Sequence, residues 1–169
     1  MKEMYLRIAG LFLFVAGLSA GAAEARWHFD LPKAQALAKK ENKLVLIDFT
    51  GSDWCGWCMK LRKETFLTPE FTAYANSNLV LVEIDQPRYK PLSMEQLETN
   101  SQIQEKYGAS GFPTLVLLNS SGQEVWRLGG YASLPPADWG KMFDTFKNGA
   151  KPTTPPPIGT LAQATPAQK

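Results

Sequence analysis

The residues that could do chemistry are concentrated in Asp53-Trp54-Cys55-Gly56-Trp57-Cys58-Met59-Lys60, which holds the only two cysteines. This stretch follows directly on the apolar run Leu44-Val45-Leu46-Ile47-Asp48-Phe49. Two thiols separated by two residues, where a strand turns into a helix, can close into a disulfide with little backbone movement. With Cys55 at the helix N-terminus, unpaired N–H groups and the positive end of the dipole stabilise its thiolate and make it the nucleophile. Cys58, one turn further in on the same face, is then the more buried, resolving thiol. A structural staple and a zinc half-site compete with this reading. A staple gains little from closing so short a loop, because little entropy leaves the unfolded chain. A structural zinc site takes about four Cys or His ligands, and beyond these cysteines the chain offers only His28.

The remainder of the chain must present that pair somewhere it can work. Lys2 and Arg7 flank and precede the apolar run Ile8 to Leu18, which gives way to small residues. That is the pattern of a secretory signal, spanning residues 1–25. Ala20-Gly21-Ala22 and Ala23-Glu24-Ala25 both satisfy the small-x-small rule, so cleavage is expected after Ala22 or Ala25. An uncleaved anchor is the alternative, since the run approaches bilayer-spanning length; either way the rest of the chain lies outside the cytoplasm. A periplasmic location is expected, with an extracellular one as the variant. The formal net charge is +2, and it stays there on cleavage because Lys2, Arg7, Glu3 and Glu24 cancel. No basic block or aromatic–basic stripe is present, which argues against nucleic acid as partner. After cleavage no membrane contact is expected, and the chain suffices for one domain, residues 26–148, expected to be a monomer.

Asp30, Leu31 and Pro32 announce a helix that Asn42 stops, with Leu31, Ala34, Leu37 and Ala38 at helical spacing. Leu44 to Phe49 is too uniformly apolar for an exposed strand and reads as a central one covered on both faces. Thr68-Pro69-Glu70 starts another helix after the one carrying the cysteines. Leu79 to Ile84 is a second buried strand, and Met94 to Tyr107 a helix closed by Gly108. Thr114 to Leu118 and Gln123 to Leu128 form a hairpin across Asn119-Ser120-Ser121-Gly122. The last helix runs from Pro136 to Lys147. Residues 149–169, rich in Pro, Thr and Ala, read as a disordered tail. This order gives an α/β domain: a mixed sheet with helices on both faces.

Trp54-Cys55-Gly56-Trp57-Cys58 after Ile47-Asp48-Phe49, with Gly111-Phe112-Pro113-Thr114 and Gly129-Gly130 downstream, resembles the thioredoxin-fold family over roughly Trp27 to Lys147. The run through Lys63-Glu64-Thr65-Phe66 and Pro69-Glu70-Phe71 is most similar to exported thioredoxin-like proteins and to the C-terminal domain of DsbD. The resemblance implies that Cys55 attacks and Cys58 resolves. It implies that Pro113 is the cis-proline facing the pair, leaving the Phe112 backbone to receive an extended substrate strand. Gly129 and Gly130 match the neighbouring loop, where bare backbone admits substrate. Trp54, Trp57 and Phe112 would rim the groove, although core packing is an equal alternative for Trp54.

Asp48 matches the family's buried aspartate, which would take the proton from Cys58. One extra residue separates it from the cysteines. The family's lysine partner on the next strand corresponds here to Leu81, so that counter-charge is expected to be missing. An aspartate reaching solvent at a strand end is the alternative. Between the cysteines stands Gly-Trp with no thiolate-stabilising histidine, Lys60 could lend charge, and Asp53 opposes the thiolate. The expected function is an exported thiol–disulfide oxidoreductase that reduces, or relays electrons to, protein disulfides, fed by an unidentified redox partner. It would need no cofactor beyond the Cys55–Cys58 disulfide. A disulfide oxidase or isomerase, or a non-catalytic thioredoxin-like binding module, is the alternative.

Overall fold

The computed structural model describes residues 24–147. The expected signal segment up to residue 23 and the tail from residue 149 lie outside the described residues. Chain order is β1 (Trp27–His28), α1 (Leu31–Glu41), β2 (Leu44–Thr50), α2 (Gly56–Leu61), a π-helical turn (Arg62–Phe66), α3 (Pro69–Asn78), β3 (Leu79–Asp85), α4 (Met94–Lys106), β4 (Thr114–Leu118), β5 (Glu124–Gly129) and α5 (Pro136–Lys147). The helix starts follow from their caps. Asp30 accepts the Lys33 N–H at 3.0 Å, and Thr68 Oγ1 accepts that of Phe71 at 3.3 Å. In both helices proline occupies the first turn, where its missing N–H costs nothing. Asn42 ends α1 in the left-handed region, φ 51°, with its N–H on the Ala38 carbonyl.

The strands form one sheet in the order β1-β3-β2-β4-β5. β2 is central, parallel to β3 and antiparallel to β4, and all seven of its residues are buried. Its alternation explains why it looks uniformly apolar in sequence. Leu44 and Leu46 face a core with Leu61, Phe66, Phe71, Trp126, Trp139 and Phe143, drawn from α2, the π-helical turn, α3, β5 and α5. Val45, Ile47 and Phe49 face a second core built with α1 and closed in part by Ile103 of α4. Helices therefore cover both faces, which is the thioredoxin fold. Strand β1 is an addition to the expected elements. Two residues carry no periodicity, and only their pairing with Leu81 and Val82 of β3 makes them a strand. Trp27 then packs on Phe66, 5.1 Å between ring centroids, which ties the sheet edge to the π-helical turn.

Candidate active site

Cys55 and Cys58 are disulfide-bonded, with Cα atoms 5.3 Å apart. Cys55 is the N-cap of α2 in extended conformation, and its Sγ accepts the Cys58 N–H at 3.2 Å. A sulfur atom thus stands where a capping oxygen usually does, directed at the N–H groups that a helix start leaves unpaired. Both residues are buried, Cys55 at 7% and Cys58 at 4% exposure. The difference is slight, so their separate roles rest on position in the helix more than on access.

The tryptophans flanking Cys55 reach two different loops. Trp54 packs edge-on against Phe112 at 5.6 Å. Its indole N–H donates to the Gln86 carbonyl at 2.7 Å. A side chain at position 51 would collide with it, since a Cβ on Gly51 would lie 2.4 Å from the indole. Trp54 is therefore a packed residue that stays partly exposed. Trp57 is 41% exposed and stacks on Tyr131, 5.2 Å apart and 29° between planes. The Phe112–Pro113 peptide bond is cis, and the Gly130 N–H donates to the Pro113 carbonyl at 2.8 Å, joining the two loops. Gly130 has φ 88°, a conformation only glycine adopts without strain. Gly129, the last residue of β5, pairs with Thr114. Of the expected rim residues, Trp54 and Phe112 are thus in contact, and Pro113 and Gly130 are joined by a hydrogen bond.

Lys60 and Asp53, the charged side chains closest to the pair in sequence, have other partners. Lys60 Nζ sits 5.5 Å from the Trp57 ring centroid and 5.0 Å from that of Tyr131, and 3.9 Å from the Glu64 carboxylate. The Tyr131 hydroxyl donates to Glu64, which pushes its ionisation up. Asp53, expected only to oppose the thiolate, accepts backbone N–H groups from Arg88 (3.0 Å), Tyr89 (2.8 Å) and Lys90 (2.7 Å). Partial desolvation works against its charge, but those three donors prevail and hold the carboxyl below its usual range. The loop they fix lays the Arg88 guanidinium 3.8 Å over the Trp54 ring.

Asp48 is 5% exposed, and its Oδ1 has no hydrogen-bond partner. Burial, then the Glu83 carboxylate, push its pKa up to about 8, with Arg62 acting in the opposite sense and Asp85 adding a smaller upward push. The solvent-reaching alternative is thereby set aside. The ladder also corrects the expected environment: Leu81 lies opposite Leu46, whereas the residue opposite Asp48 is Glu83. Arg62 Nη1 meets Glu83 Oε2 at 3.0 Å. A counter-charge is therefore present, supplied from the π-helical turn instead of the strand.

Comparison with known proteins matches residues 31–147 to the thioredoxin-like domain family. The chain belongs to that family. Disulfide bond reductase DsbH of Chlamydia pneumoniae is 33% identical over 108 residues, 64% of this chain and 64% of that protein. The chain thus spans less than two thirds of that relative's length. Among solved structures, a DsbH oxidoreductase superposes with TM-score 0.66 at 30% identity, covering 74% of this chain and 86% of the other. The oxidised C-terminal domain of Neisseria meningitidis DsbD gives TM-score 0.52 at 17% identity, over 71% of this chain and 98% of that one. The last is a likeness of fold.

Four residues of this thioredoxin-like domain's site were not anticipated as members of it: Glu83, Arg62, Arg88 and Tyr131. Tyr131 directly follows the glycine pair, so an aromatic beside an expected substrate loop was the available signal. Arg88 carried none, because its position depends on the Asp53 clip. Among the described residues, no group of three or more His, Cys, Asp or Glu side chains is placed to hold a metal.

Proposed function

We propose that this domain is an exported thiol–disulfide oxidoreductase that reduces protein disulfides or relays electrons to them. The observation that carries the reading is Cys55 capping α2 while bonded to Cys58, between two aromatic contacts to substrate-side loops. The Cys55 thiolate attacks a substrate disulfide, forming one mixed bond and releasing one substrate thiolate. Cys58 then passes its proton to the Asp48 carboxylate and attacks the Cys55 sulfur. The second substrate thiolate leaves, and the substrate has gained two electrons. Trp54, Trp57, Phe112, Pro113, Gly129 and Gly130 receive the extended substrate segment around the scissile bond. A redox partner returns the electrons, and no other cofactor takes part.

Export is inferred from the basic residues, apolar run and small-x-small sites of residues 1–25. The periplasm is the compartment proposed. The reducing direction is supported by the charges already described: Lys60, Arg62 and Arg88 have rings or carboxylates as partners, and no histidine stands between the cysteines to add to the helix start. The DsbH relative is by name a disulfide bond reductase, which agrees with that direction.

Trp57 supplies the test. With dithiothreitol as electron source, the protein is expected to accelerate reduction of insulin, and Trp57→Ala to lower kcat/KM for insulin about tenfold, the usual scale for an aromatic contact at an interface. Exchange with a small disulfide such as oxidised glutathione should be unchanged by the same substitution. Equal loss on both substrates would remove Trp57 from the substrate surface. No acceleration by the wild type would return the domain to the role of a binding module.

A further inference from the structure

β2 and β3 run parallel with Asp48 opposite Glu83, two positions beyond the Leu46–Leu81 pair. Two steps along a strand return to the same face, so both carboxylates lie on the side where Leu46 and Leu81 meet Leu61 of α2. The Glu83 side chain is only 13% exposed. Arg62, which reaches it at 3.0 Å, begins the π-helical turn, and its backbone N–H bonds the carbonyls of Cys58 and Met59. One residue thus links the helix turn of the resolving cysteine to the strand neighbour of Asp48.

The other groups facing Asp48 leave this pair as the variable one. Asp85 on β3 accepts the Ser52 N–H at 2.8 Å and the Ser52 hydroxyl at 2.6 Å. Lys90 donates to the same Ser52 hydroxyl at 3.2 Å and acts on Glu83 weakly, after Arg62 and Asp85. On the β4 side Asp48 lies opposite Leu115, which is uncharged. A pair whose arginine side chain is 46% exposed adds little to stability, and an apolar residue at position 83 would be cheaper to bury.

We infer that Glu83 and Arg62 are positioning residues that set how firmly Asp48 holds the proton it exchanges with Cys58, Glu83 tightening the hold and Arg62 loosening it. The inference rests on the reading of Asp48 as the proton partner of Cys58. When the substrate's mixed disulfide is resolved, the Cys58 S–H proton goes to the Asp48 carboxylate as the Cys55–Cys58 bond forms and substrate thiolate departs. When the Cys55–Cys58 bond is opened by attack at Cys55, the electron pair goes to Cys58 and protonated Asp48 returns the proton. Rising burial of Glu83 or separation from Arg62 would shift the balance between these directions.

The test follows resolution of a Cys55–peptide mixed disulfide by stopped-flow as a function of pH, on the full chain. In the wild type the rate should rise through a midpoint near 8, where Asp48 ionises. Glu83→Gln should lower that midpoint by about one pH unit, the scale of a removed neighbouring like charge. Arg62→Gln should raise it, and Arg62→Lys, which keeps the charge, should restore it. A purely structural pair would change the rate at every pH without moving the midpoint. If Asp48→Asn abolishes the profile while both charge-removing variants keep the wild-type midpoint, the inference is overturned and the Asp48 reading stands. If Asp48→Asn retains the wild-type profile, the Asp48 reading fails and takes the inference with it.

Discussion

Cys58→Ser is expected to convert the protein from a turnover catalyst into a trap that accumulates covalent complexes with its substrates. Cys55 keeps its place as cap of α2, and the N–H of residue 58, which now points at its sulfur at 3.2 Å, survives the substitution. Attack therefore continues, while the thiol that would displace the substrate is gone. Cys55→Ser removes the attacking sulfur, and catalysed exchange should fall to the background rate. Non-reducing gels after exposure to an exported-protein extract distinguish the two: Cys58→Ser should show ladders that collapse on adding dithiothreitol, and Cys55→Ser none. Equal trapping by both variants would contradict the division of labour, which the nearly equal burial of the two sulfurs does not decide by itself.

Asp48→Asn should slow resolution of the mixed disulfide near neutral pH by roughly a hundredfold, the lower range for losing a general base. Initial attack by Cys55, which needs no such acceptor, should change little. The same substitution reports on stability. Burial pushes folded Asp48 up to about 8, against 3.8 for a free aspartate side chain, so between those limits the native state holds a proton that the unfolded chain has shed. Its contribution is most favourable at acid pH and is lost as pH rises toward the folded value, with a slope of about 1.4 kcal/mol per pH unit. Urea unfolding should show that slope in the wild type between those limits and its absence in Asp48→Asn. Parallel profiles for the two proteins would mean that Asp48 is not the buried, proton-holding group.

Much of this fold is legible in sequence because local and tertiary signals agree. The caps Asp30 and Thr68, the two largely apolar inner strands and the cysteine pair between strand and helix all stand where the structure has them. What escaped is set by register and by backbone irregularity. Glu83 falls inside a strand read only as buried, with no role of its own, yet pairing with β2 brings it opposite Asp48. Counting from the family lysine pointed to Leu81, which the ladder instead places opposite Leu46 in the core. Arg62 carries no sequence signal, because the π-helical turn that begins there has no motif to announce it. Asp53 looked like an electrostatic liability to the thiolate and is also the anchor of the 88–90 loop. In each case the residue type was visible and its partner was not.

The reducing direction is the claim on which the functional reading turns, and the reduction potential of the Cys55–Cys58 pair tests it most directly. To move from a thioredoxin-like potential of about −270 mV to a strongly oxidising one of about −120 mV requires roughly 7 kcal/mol of extra stabilisation of the reduced form. A helix start supplies up to about 2 kcal/mol in favourable sites. No intervening histidine adds to it here, and the nearby cations are occupied. Equilibration against glutathione buffers, with the thiol and disulfide forms separated after acid quenching, should give a value more negative than about −230 mV. A value less negative than about −180 mV, the level of the disulfide isomerases, would contradict the account.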